Sequence, residues 1–249
     1  MVKVSFSGVK VNVVVCEKAF DTLSIYYISN TASRNAIDES VLGCWAGYCK
    51  YSDGRYETFD RRQAIRMFRA QRRAREGCLV RCLSFEPSTS LLPLRQLLES
   101  QQADNSVNQL WLTDRLWELC MSHGLLLDSS HHAELRLDFA YHVANELLSV
   151  CDILSLASTE VHGVGFIEKV YDIAMSLVKA MSSSTQMTLD SSFTSPDFFS
   201  DEASTSCVTV KVLLSRLHEL IQNFRGGDHE YASKIAIALS SIPGYDTSA

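Results

Sequence analysis

Four arginines, Arg62, Arg66, Arg69 and Arg73, recur at spacings of four, three and four residues. On a helix turning about 100° per residue they fall on one narrow stripe. A guanidinium is planar, permanently charged, pairs bidentately with phosphate and stacks on bases. Such a stripe, about three turns long, matches the footprint of a nucleic-acid backbone. Tyr51 and Tyr56, with Tyr48 nearby, lie just upstream and supply the aromatic faces that single-strand binders use for stacking. Two other readings compete. The arginines pair with acidic protein surface, from this chain or a partner, or they form a solvated or lipid-facing side. No RRM, KH, zinc-finger or helix-turn-helix signature accompanies them.

Other chemistry-bearing groups are weaker. Cys44, Cys49, Cys78 and Cys82 hold the donor set for tetrahedral zinc. Their spacings exceed Cys-x2-Cys, and Cys78 and Cys82 sit on one side of an apolar stretch, so burial as small hydrophobes is the reading adopted. His131, His132 and Glu134, with Asp138 and His142 at i, i+4, could begin a metal site. No HExxH accompanies them, and histidines at a helix start explain them more simply. GxSxG, Walker and GxGxxG motifs are absent, and Gly163 and Gly165 are too few to cradle a phosphate. A triad assembled across the fold stays open. No catalytic residue, metal or cofactor is assigned. Asp197, Phe198 and Phe199, within Ser195–Glu202, resemble a docking motif for a partner groove. The competing reading is that the phenylalanines pin this stretch onto the chain's own helices.

The stripe needs a helix to carry it. Asp60 stands at an N-cap position, Gln63 completes a capping box, and Gly77 is placed as a C-cap, which bounds the helix at 61–76. Ala64, Met67, Phe68 and Ala74 form its apolar side. Around it the pattern predicts strands. Residues 2–15 alternate, and residues 22–29 are β-branched and aromatic. Residues 42–51 and 55–59 flank Ser52-Asp53-Gly54, a hairpin signal, and residues 78–85 read as a returning strand. Helical spacing dominates thereafter, over 91–99, 109–123 (ended by Gly124), 133–158, 164–181, 208–224 and 228–240. Residues 182–206 hold nine serines, four acids and no Lys or Arg, and read as a linker or loop. The predicted fold class is therefore α+β, with N-terminal antiparallel strands packed with one basic helix and a mainly α-helical C-terminal region. Its divisions are a basic unit at 1–87, a helical region at 88–181, the linker at 182–206 and a C-terminal helical hairpin at 207–249.

Bulk properties frame these readings. A chain of 249 residues with 46% hydrophobic content can bury a substantial core. No apolar run reaches membrane-span length, and the N-terminus does not read as a signal peptide. The eight scattered cysteines suit reduced, buried thiols. The expected location is the cytoplasm or nucleus. Residues 1–90 carry a formal charge of +5 and residues 91–249 carry −11. That division suggests two regions with different partners, or one region covering the other.

Leu92-Pro93 with Leu97 or Leu98 is faintly similar to the Leu-Pro opening of the F-box-like motif in polerovirus silencing suppressors. The tail, with Ser233-Lys234, Ala238-Leu239 and Ile242-Pro243-Gly244-Tyr245, looks a little like their C-terminal ends. Position 96 is Gln where that motif has leucine, and no second proline occurs between Pro93 and Pro196. The resemblance implies a viral accessory protein that recruits a ubiquitin ligase to a silencing protein. The residues themselves favour a non-enzymatic, RNA-binding regulatory or accessory protein, with Arg62, Arg66, Arg69 and Arg73 on phosphates and Tyr51 or Tyr56 stacking. Its helical part would support a homo-oligomer or protein partners, without membrane contact. The alternative is a protein-protein adaptor with the arginine helix paired to acidic protein surface.

Overall fold

The computed structural model describes residues 2–6, 9–13, 44, 59–83, 98–190, 200–227 and 229–240. Strands β1 (Val2–Phe6) and β2 (Val9–Val13) pair antiparallel with each other. The regular structure in the rest of the described chain is helical: α1 (Arg61–Leu83), α2 (Glu99–Ser122), α3 (Phe139–Ile153), α4 (Leu156–Glu160), α5 (Val164–Asp190), α6 (Ser200–Asn223) and α7 (Glu230–Ser240). Short 3-10 turns lie at Ala133–Leu135 and Phe224–Gly226.

The α+β expectation is overturned. The interpretable part of the protein is 83% helical, and among the described residues no strand packs with the helices. From Phe59 onward no described residue is in a strand, so α1 packs on helices rather than strands. Residues 78–83, expected as a returning strand, continue α1, and Gly77 does not end it. A short apolar run such as Cys78-Leu79-Val80 satisfies helix and strand patterns equally, and helical context decides it. A glycine ends a helix only when its backbone turns left-handed. Gly77 stays helical, at a cost of about 1 kcal/mol relative to alanine. Gly227 does adopt the left-handed conformation (φ +80°), and a Cβ there would lie 2.2 Å from the Gln222 carbonyl oxygen, which explains the stop after α6. Gly124 (φ +64°) likewise closes α2. Cys44, within a stretch expected as strand, is helical and buried.

The core centres on α2, which crosses α1, α3 and α5. Trp117 is fully buried, and its indole N–H donates to the Arg136 carbonyl at 2.8 Å. Phe166 and Phe224 stack 5.5 Å apart where α5 meets the end of α6. The helix predicted over 133–158 is instead a 3-10 turn, α3 and α4. The breaks fall where Arg136 and Leu154 take extended backbone, and Ser155 then caps α4 by accepting the Ser158 N–H. Helices α5 and α6 extend into the serine-rich 182–206 stretch from both sides, reaching Asp190 and starting at Ser200.

Candidate nucleic-acid interface

Helix α1 starts as its sequence dictates. The Asp60 N–H donates to Gln63 Oε1 at 3.0 Å, and the Gln63 N–H donates to Asp60 Oδ1 at 2.7 Å, a reciprocal capping box. Ala64, Met67, Phe68 and Gln71 are buried, which fixes the helix's rotation about its own axis. Phe68 meets Phe139 of α3 edge-on at 5.8 Å, and Phe59, just ahead of the cap, meets His123 at the end of α2. Ala74, the last of the predicted apolar side, is only half-buried.

With the helix seated this way, the seven arginines from Arg61 to Arg75 divide into two sets. Arg61 donates to Ser130 Oγ at 2.7 Å, Arg72 pairs with Glu134, and Arg75 pairs with Glu146 of α3. Arg62, Arg66, Arg69 and Arg73 are exposed and make no ion pair or hydrogen bond among the described residues. The spacing that defined the stripe also keeps it out of the contact with the body. At 1.5 Å rise per residue the four guanidinium groups are distributed over about 16 Å of helix. The proposed stacking partners Tyr51 and Tyr56 lie outside the described residues, as do Asp197, Phe198 and Phe199.

The histidine cluster has a different setting from the one its spacing suggested. Glu134 is engaged by Arg72 and Asp138 by Arg136 at 2.6 Å. Among the described residues no group of three His, Cys, Asp or Glu side chains is arranged to hold a metal. Instead His131 and His132 line a cleft of about 320 Å³ with Arg69 and Arg72 of α1. Spacing within either segment does not show this meeting, because the two segments are about sixty positions apart. The one local clue was the polar turn Asp128-Ser129-Ser130 ahead of the histidines. Arg72, Glu134 and Phe68 also border a smaller cavity of about 140 Å³ against Arg75, His142 and Glu146.

A buried ionic network on α2 was not anticipated. Asp114 is 1% exposed and accepts from Arg115 at 2.8 Å and from Ser176 Oγ of α5 at 3.0 Å. Burial pushes its carboxyl up to about 6 despite the neighbouring Arg115. Arg115 also reaches Glu118 at 2.5 Å and the Asp172 carbonyl at 3.3 Å. The Trp111 indole donates to Asp172 Oδ2 at 2.8 Å. An aspartate inside the apolar run Trp111–Trp117 was the available signal. Burial raises the thiols of Cys120 and Cys151 to about 12, so neither is a nucleophile at neutral pH.

Among the described residues no helix is long and apolar enough to cross a membrane. Of the stretches resembling polerovirus silencing suppressors, Leu92-Pro93 and Ile242–Tyr245 lie outside the described residues, and Ser233–Leu239 forms part of α7. No family model, curated protein or solved structure matches the chain.

Proposed function

We propose that the chain is a non-enzymatic RNA-binding protein of regulatory or accessory type, acting in the cytoplasm or nucleus through the outer face of α1. One observation carries this reading: four regularly spaced arginines stay exposed, with no partner among the described residues, on a helix whose Arg61, Arg72 and Arg75 engage the body. Unpaired guanidinium groups on a rigid helix hold phosphates without first breaking internal ion pairs. The acidic remainder of the chain limits unspecific adhesion to polyanions, so binding concentrates on this face. Replacing Arg62, Arg66, Arg69 and Arg73 together by Gln abolishes retention of single-stranded RNA and leaves the circular dichroism spectrum and melting temperature unchanged. Retention equal to that of the parent protein would refute the reading.

The adaptor reading keeps one supporting observation: Arg72 and Arg75 do engage acidic side chains, Glu134 and Glu146. An acidic protein surface would then occupy the remaining four arginines. Capture of an acidic partner that survives loss of RNA binding distinguishes it.

A further inference from the structure

We infer that the cleft between α1 and the turn at 130–135 receives a single unstacked nucleotide of a bound RNA strand, with its phosphate on Arg69. The inference rests on the RNA reading of the stripe and adds to it a preference for single strands.

The cleft is tied at both ends. Arg61 holds Ser130 at one end, and Arg72 holds Glu134 at the other. Ser130 Oγ also accepts the His132 N–H at 3.2 Å, which fixes the turn behind the cleft. Between the two ties α1 presents Ile65, Phe68 and Arg69. The partly open space of about 320 Å³ lies near the lower end of small-molecule sites, roughly 300–1,000 Å³. It suits one nucleotide and excludes a duplex. Phe68 and Leu135 are buried and form the floor, partly exposed Ile65 offers an apolar contact for a base, and Arg69, His131 and His132 provide polar groups for phosphate and sugar. The two imidazoles make no side-chain hydrogen bond among the described residues. The acid on the lining, Glu134, is already matched by Arg72, so it does not repel an anion with a full charge.

Arg69 connects the two features, since it belongs to the exposed stripe and also lines the cleft. A strand lying along Arg62, Arg66, Arg69 and Arg73 therefore passes the cleft mouth. A single strand can turn one base inward there at little cost. A duplex must first unpair and unstack that base.

The test uses the full chain in fluorescence anisotropy, with a short oligouridylate and an RNA duplex of equal length at one salt concentration. The single strand binds roughly ten-fold more tightly than the duplex, the scale expected for one seated base. Ala133→Trp, at an exposed position on the cleft rim, fills the space. It lowers oligouridylate affinity to the duplex level and leaves duplex affinity unchanged. A wild-type protein that binds both RNAs equally, or an Ala133→Trp protein that keeps the preference, overturns the cleft inference while the stripe reading stands. A wild-type protein that retains neither RNA overturns both. Should Ala133→Trp fail to fold, titration of the wild-type protein with uridine monophosphate decides the matter. The His131 and His132 ring resonances shift if the nucleotide enters the cleft, and their failure to move contradicts the inference.

Discussion

Arginine serves opposite purposes on α1 and on α2. On the outer face of α1, Arg62, Arg66, Arg69 and Arg73 stand in water with no partner among the described residues. On α2, Arg115 is 20% exposed and touches Asp114, Glu118 and Asp172 in the seam with α5. A charge removed from water must be matched locally, or the fold loses several kcal/mol; a charge left in water is available to a ligand. The same residue type is therefore structural in the seam and open to function on the outer face. Arg72 and Arg75 lie between these extremes, since each is partly exposed and pairs with one acid, Glu134 or Glu146.

Truncation separates the two regions most sharply. Arg115→Ala leaves the buried Asp114 carboxylate without its cation and destabilises the protein by about 3–5 kcal/mol in urea denaturation. A loss below about 0.5 kcal/mol, the scale of an ordinary surface substitution, would erase the contrast.

The seam also titrates. Burial raises the Asp114 carboxyl from 3.8 to about 6, so the folded protein holds a proton more tightly than the unfolded chain does. This contribution to stability is fully present below about pH 4 and is lost as pH rises through about 6, a change on the order of 3 kcal/mol. Asp114→Asn removes it. The difference in unfolding free energy between variant and parent then shifts in the variant's favour between pH 4 and 6. Parallel pH profiles would contradict the assignment.

Arg72→Gln and Arg75→Gln test the intermediate pairs. Arg72 is 60% exposed and Glu134 only 13%, so this bridge sits at the upper end of the range for surface pairs, about 1 kcal/mol, and each variant melts slightly below the parent. A large loss at either site would move these two arginines into the same structural class as Arg115.

Part of this contrast was legible in the sequence. The start of α1 was, because Asp60 and Gln63 form a local motif whose hydrogen bonds need nothing from the rest of the chain. The stripe was legible too, because helical periodicity alone separates Arg62, Arg66, Arg69 and Arg73 from Met67 and Phe68. The end of α1 was not, since Gly77 and the apolar run beyond it are compatible with a stop and a strand. The beginning of α2 was also hidden: Glu99 to Asn108 is mostly polar, and Ala103 and Val107 are the small apolar side chains it buries. The cleft was out of reach because α1 and the 130–135 turn meet only through tertiary packing. The histidines were visible, and their neighbours were not.

The division between matched and unmatched arginines is tested most directly by the salt dependence of RNA binding. With four phosphate contacts to a single strand, the logarithm of the binding constant falls against the logarithm of salt concentration with a slope of about −3. Replacing the four stripe arginines by Gln removes this salt-dependent binding, whereas replacing Arg72 and Arg75 by Gln leaves the slope unchanged. A slope carried instead by Arg72 and Arg75, or binding indifferent to salt, would contradict the account.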